Sequence, residues 1–283
     1  MEGVRRRAAT LVLLAAFLAG CGSSGAEQIT VGAARTFTLA HFSPARAVAG
    51  RPLHLSFTIR QPSGEPLKRS LYRTGHGPHT GVHVIIVRSD LASMLHLHPP
   101  IGADGRIDEE ITLPAPGRYR VVVDVYPKLS GQLRNFQLFR WITVAGRAAT
   151  KALPPFRPTV TVDGYRFAIA NQPRIRAIRP AFVTFHVARP DGSPADFATW
   201  FGALAHAIFF RAGTLDYFHT HVCSPGVIGC TSVLGPTRVS GSQTRPGELR
   251  VAVLLPEAGT WRLFLQCRVD DRVLTAPFTL SVQ

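Results

Sequence analysis

His83, His96 and His98 recur 123 residues later as His206, His219 and His221, both times with the spacing H-x12-H-x-H. The flanks repeat as well. Gly81-Val-His-Val-Ile-Ile-Val-Arg aligns with Leu204-Ala-His-Ala-Ile-Phe-Phe-Arg, and Leu95-His-Leu-His aligns with Phe218-His-Thr-His. A chain built this way must fold as two copies of one unit. It must also place a metal-competent residue type at matched positions in each copy.

Other segments extend the duplication. Arg51-Pro52 opens a run ending near Arg60, and Arg179-Pro180 opens one ending near Ala188. Leu113-Pro-Ala-Pro-Gly-Arg-Tyr matches Leu255-Pro-Glu-Ala-Gly-Thr-Trp. Between His221 and Gly259 the second copy carries a 19-residue insertion. Short apolar runs such as Leu53–Ile59 and Arg118–Val125 alternate or are continuously apolar, and Pro, Gly and Asp clusters bound them. No helical period is sustained in residues 36–283. The expected fold class is all-β, with two tandem immunoglobulin-like β-sandwich domains. The expected boundaries are 36–146 for the first sandwich, 147–158 for an Ala/Pro-rich basic linker, and 159–283 for the second sandwich.

Residues 1–20 read as an export signal. Arg5 to Arg7 precede an apolar core, Leu11 to Leu18, that is too short to span a bilayer. The signal ends in Leu18-Ala19-Gly20-Cys21, which resembles the lipobox of bacterial lipoproteins. That resemblance implies cleavage before Cys21, lipid on its thiol, and a membrane anchor on the extracytoplasmic face. Residues 21–35 would be the lipidated tether.

The net charge is +15, carried almost entirely by arginine, with three lysines (Lys68, Lys128 and Lys151). No basic run alternates with aromatics, which speaks against nucleic acid as a partner. Anionic lipid, wall polymer or another envelope protein fits better. Cys223 and Cys230 bracket a turn-rich loop in an oxidising compartment, and a disulfide is expected there. Cys267 lies in an alternating run and reads as a buried thiol at a core-facing strand edge.

The histidine spacing has a geometric consequence. His83 and His96 are symmetric about the Ser89–Asp90 junction, and His206 and His219 about Ala212–Gly213. A hairpin turning there would place the first histidine of each triplet directly across from the second. The third, two residues on, shares their face. Three converging imidazoles supply most of a shell for Zn(II) or Cu(II). Asp124 is an auxiliary candidate, and Gln266 takes its place in the second copy. His76 and His79 add imidazoles near the first copy only, which makes that copy the stronger candidate and the second copy's triplet a second or vestigial site. Met94 is the one methionine after the signal, so a thioether-rich Cu(I) site is not expected. The competing reading is structural: each ring bonded to backbone and packed on aromatics.

The Asp90–Pro99 stretch ending His-Leu-His-Pro, the Asp104-Gly105 turn and the Leu113-Pro…Gly117-x-Tyr119 strand resemble a group of actinobacterial secreted two-domain proteins. So do Phe264-Leu-Gln and Thr275-Ala-Pro-Phe-Thr in the second copy. More distantly they resemble YtkA-like and CopC-like extracytoplasmic β-sandwiches. The resemblance implies a link to copper or heavy metals, and the leading expectation is an extracytoplasmic buffer or carrier of copper or zinc. The second copy departs from the pattern, with Val222-Cys223 in place of the His-Pro ending. The alternative function is a cell-envelope interaction module or scaffold. Catalysis is not expected, because no Gly-x-Ser-x-Gly elbow or His-Glu-x-x-His segment occurs.

Overall fold

A computed structural model of the chain describes residues 36–75, 77–128, 135–170, 174–222 and 245–283. The signal, Cys21, the tether over 21–35, His76 and the Cys223–Cys230 pair lie outside the described residues. Phe37–Gln283 form one compact unit.

The first copy contributes β1 (Thr38–Ser43), β2 (Arg46–Val48), β3 (Pro52–Arg60), β4 (Val82–Arg88), β5 (Met94–Leu97), β6 (Arg106–Thr112), β7 (Gly117–Val125) and β8 (Phe136–Ala145). The second contributes β9 (Thr159–Val162), β10 (Tyr165–Ile169), β11 (Ala181–Ala188), β12 (Ala205–Arg211), β13 (Tyr217–Val222), β14 (Glu248–Val253), β15 (Gly259–Val269) and β16 (Arg272–Val282). Among the described residues the one helical element is a three-residue 3-10 turn, Arg69–Leu71.

Each copy is a sandwich of two sheets. In the first, β1-β3-β6 faces β2-β8-β7-β4-β5; in the second, β14-β11-β10-β9 faces β13-β12-β15-β16. The order β5-β4-β7-β8 in one copy is the order β13-β12-β15-β16 in the other, so the duplication read from sequence is also a duplication of topology. Phe57, Ile59, Val84, Tyr119 and Val121 help fill the first core, and Phe167, Phe185, Phe209, Trp261 and Phe278 the second.

The late strands of the two copies share a device. Gly117 has φ 133° and Gly259 φ 129°, a conformation open to glycine. A Cβ at either would lie 3.2 Å from the Nε of Arg88 or of Arg211, and these two arginines are equivalent in the repeat. Two residues further on, the Tyr119 hydroxyl donates to the Ala115 carbonyl at 2.8 Å, and the Trp261 indole donates to the Glu257 carbonyl at 3.0 Å.

The feature that positions the site is that β4 is buried at all seven residues. Val82, Val84 and Ile86 face the core of their own sandwich. Ile85 and Val87, on the opposite face, join Leu91, Val122, Ile208, Phe210, Leu215 and Phe264 in a third apolar cluster that spans both copies. Ile85 and Ile208 are equivalent in the repeat, as are Val87 and Phe210. The copies therefore meet through the same face of the same sheet, as the two subunits of an isologous dimer would. Burial of each large side chain there contributes roughly 1.5–3 kcal/mol. Arg120 of β7 adds a polar tie, donating to the carbonyls of Thr214 and Leu215 at 3.0 and 3.1 Å. No strand lies between Ala145 and Thr159; in that stretch Lys151 N–H donates to Asp90 Oδ2 at 3.1 Å and Leu153 packs on the third cluster.

Candidate metal centre

The hairpins that carry the histidines are shifted by two residues from the expected register. β4 pairs Val84 with Leu97 and Ile85 with His96, and β12 pairs His206 with His221 and Ile208 with His219. The first histidine therefore faces the third, not the second. The reason is the turn. Arg88 N–H donates to Ser93 O, and Arg211 N–H donates to Asp216 O, each at 3.0 Å, so each four-residue loop is centred one residue past the expected point. Ser89-Asp90 is not one of the pairs that favour a two-residue turn. Instead Asp90 Oδ1 accepts from Ala92 N–H at 3.1 Å, while Leu91 takes φ 60°. A shift of two preserves side-chain parity, so all three histidines still share one face.

That face is the one through which the two sandwiches meet. The two triplets consequently form one cluster, not a site in each copy. His83 stacks on His98 at 3.8 Å, and His98 stacks in turn on Phe201 of the second copy at 3.7 Å with planes 5° apart. The His83 ring centre lies 5.4 Å from that of His219, and the His96 ring centre 4.9 Å from that of His206. His79 joins at the edge, stacked on Tyr126 and 4.9 Å from His221.

Two rings have their tautomers fixed from outside. His96 Nδ1 lies 3.0 Å from Gln266 Oε1. Gln266 Nε2 donates to Thr275 Oγ1 at 2.9 Å, which turns its oxygen towards His96. Nδ1 of His96 is therefore the donor, and Nε2 presents a lone pair. His206 Nε2 donates to the Trp200 carbonyl at 3.0 Å, so its lone pair is on Nδ1. Each lone pair points at another imidazole. His96 Nε2 is 3.2 Å from His98 Nε2, and His206 Nδ1 is 3.3 Å from His219 Nε2. A tetrahedral ion with bonds of about 2.0–2.1 Å sets its ligand atoms about 3.3 Å apart. Orientation by an outer N–H bond is the usual arrangement around a metal-bound histidine.

Among the described residues several ring nitrogens have no partner. Both nitrogens of His83, Nδ1 of His219 and Nε2 of His221 are shielded from solvent and make no hydrogen bond. Each such buried group costs about 1–3 kcal/mol if nothing satisfies it. Two groups of donor atoms lie within 4.8 Å of one another: His83, His96 and His219, and His206, His219 and His221. The first mixes the two copies, and His219 belongs to both.

Burial is the main influence on the charge state of these rings. It holds His83, His96, His219 and His221 well below the ordinary histidine value, and mutual repulsion lowers them further. His98 is pushed down to about 2 by burial and by His206, and His206 to about 4 by burial, against the opposing pull of the Trp200 carbonyl. All six are neutral near pH 7, the protonation state a metal ligand requires.

Asp124 sits opposite His83 in the β4–β7 ladder, as its parity suggested. Its carboxylate is otherwise engaged. Oδ1 accepts from Asn135 at 2.8 Å and Gln137 at 3.0 Å, and Oδ2 accepts from Tyr126 and from Tyr217 of the second copy, each at 3.3 Å. Burial raises its pKa, while those four bonds lower it. Asp124 falls in neither donor group among the described residues; it braces the wall of the cluster. Gln266, at the corresponding place in β15, is paired with His206 in the ladder yet hydrogen-bonds His96. Cys267 is buried in the second core, its thiol pushed up to about 12 by burial. Its strand, β15, is flanked by β12 and β16, so it is an interior position and not an edge.

The repeated spacing marks the six histidines but not their outer partners. Trp200 and Phe201 carry no motif; Phe201 reaches its stacking position with φ 44° in a turn. The signal that was present is the run of apolar residues on both parities of β4 and β12, which requires something to cover the outer face.

Residues 160–283 match a family described as a domain of unknown function (DUF8832). The search of curated proteins found no match to the chain. Among solved structures, the chain is similar to invasin, a bacterial integrin-binding protein, at 13% identity over 87% of this chain and 38% of that one, with a TM-score of 0.24. It is similar to the Escherichia coli adhesin FdeC at 13% identity over 88% of this chain and 65% of the other, TM-score 0.24. A putative membrane-anchored protein of Corynebacterium diphtheriae gives 11% identity over 88% of this chain and 57% of the other, TM-score 0.25. The chain thus spans less than two thirds of each of these three proteins.

Proposed function

We propose that this protein binds a divalent transition metal, Cu(II) or Zn(II), in a polyhistidine centre built where its two sandwiches meet, and that it serves as an extracytoplasmic metal buffer or carrier. One observation carries the reading. The oriented lone pairs of His96 and His206 face further imidazole nitrogens at 3.2 and 3.3 Å, in a shielded space where other ring nitrogens have no partner. A structural role would satisfy those nitrogens with protein groups; a metal satisfies them with its own valences. Nitrogen-only donors suit copper or zinc. The likeness of His-Leu-His-Pro to YtkA-like and CopC-like domains points the same way. Export and a lipid anchor at Cys21 rest on the sequence of residues 1–21.

The second reading, an envelope interaction module, is favoured by a different observation. Phe139 and Trp141 of β8 are 39% and 38% exposed, with Arg120 and Arg118 stacked over them. Metal analysis and titration of the parent beside a His83→Ala/His96→Ala/His98→Ala variant separates the two. Under the metal reading the variant stays folded and loses at least one tight equivalent of metal. A parent that takes up no metal leaves the interaction reading standing.

A further inference from the structure

The geometry points to a dinuclear centre in which one ring, His219, bridges two metal ions through its two nitrogens as an imidazolate. This deepens the metal reading above and rests on it.

Three observations combine. First, the donors fall into two groups, and His219 is the member common to both. Second, among the described residues neither nitrogen of its ring is tied to a group outside the histidine cluster. Nε2 faces the lone pair of His206 Nδ1 at 3.3 Å, and Nδ1 is shielded with no hydrogen-bond partner. A histidine that binds one ion normally gives its other N–H to an acceptor, as His96 gives Nδ1 to Gln266 and His206 gives Nε2 to Trp200. Among the described residues His219 Nδ1 has no acceptor, and the group that faces Nε2 is His206 Nδ1, itself one of the donor atoms of the cluster. Third, the rings are arranged on several sides of it. His206 and His221 lie at 5.5 and 4.3 Å, and His83 and His96 at 5.4 and 5.2 Å.

In the bridged form, Nε2 binds the ion held with His206 and His221, and Nδ1 binds the ion held with His83 and His96. The second ion takes the place of the ring N–H proton. Two metal–nitrogen bonds form, one N–H bond breaks, the proton leaves to solvent, and nothing is oxidised or reduced. With bonds of about 2.0–2.1 Å, ions on opposite nitrogens of one ring lie on the order of 6 Å apart. The imidazolate also brings one negative charge to a buried site whose other ligands are neutral, which lowers the cost of holding two dications together.

The test uses the full chain loaded with Cu(II). Copper content is measured, followed by electron paramagnetic resonance at low temperature. The expected result is two tightly held copper ions, a half-field signal, and a doublet intensity well below that of two isolated ions. His219→Ala and the more conservative His219→Gln should both keep a folded protein, judged by circular dichroism, and lose the half-field signal. Two magnetically isolated ions, a single ion, or coupling that persists without His219 would overturn the bridge and leave a metal site. No copper in the parent would overturn both the bridge and the metal reading. The wild-type spectrum decides if either variant fails to fold.

Discussion

Gln266, on β15 of the second sandwich, accepts a hydrogen bond at 3.0 Å from Nδ1 of His96, on β5 of the first. One copy thus sets the orientation of a histidine ring in the other. Gln266→Leu keeps the approximate size and removes the acceptor. It should lower metal affinity about 10- to 100-fold, the usual effect of losing such a partner. Competition against a chromogenic chelator measures this, and an unchanged affinity would show that His96 needs no orienting.

Asp124 makes a contrasting case. Its four hydrogen bonds satisfy the carboxylate without a metal. Asp124→Asn should cost about 1–3 kcal/mol of stability, because donors that faced a carboxylate oxygen now meet an amide N–H. Metal stoichiometry should stay as in the parent. A lost equivalent would make Asp124 a ligand after all.

The interface cluster holds the two halves of the centre together. Phe210 is fully buried there. Phe210→Ala should destabilise the protein by about 3–5 kcal/mol. It should also weaken metal binding, although Phe210 is not a donor. Urea unfolding and metal titration on the same preparation report both effects, and an affinity that does not move would separate the interface from the site.

The histidine cluster makes the metal-free protein sensitive to acid. Its six folded-state pKa values all lie below the unfolded value of about 6.5. A depressed pKa contributes stability that is fully present above the unfolded value and is lost as pH falls towards the folded one. Each such ring adds a slope of about 1.4 kcal/mol per pH unit inside that window. With a chelator present, the urea midpoint should hold steady above pH 7 and fall between about pH 6.5 and about pH 4, where His206 titrates. A midpoint that stays flat down to pH 5 would mean the rings are solvated.

Much of this architecture is legible in the sequence. The repeat of Arg51–Arg60 and Gly117-x-Tyr119 as Arg179–Ala188 and Gly259-x-Trp261 gives two all-β copies, and those segments become β3, β7, β11 and β15. The face of each histidine follows from parity alone. The register does not, because Leu91 and Leu215 adopt positive φ inside four-residue loops that no turn motif announces. The union of the two triplets was also hidden. It depends on which outer face covers which, and Ile85, Val87, Ile208 and Phe210 show only that some cover is needed. That the cover is the other copy is a tertiary fact. Separate sites in the two copies were the natural expectation from spacing, whereas the interface gathers both triplets into one cluster.

The central claim is that both copies build a shared centre, and His219 is where it can be tested most directly. The measurement is the zinc content and zinc titration of the full chain beside a His206→Ala/His219→Ala/His221→Ala variant, with circular dichroism to verify folding. A shared centre predicts that the variant loses all tight zinc, although His83, His96 and His98 remain intact, because their site needs His219. A folded variant that retains one tight equivalent, or a parent that binds none, would contradict it.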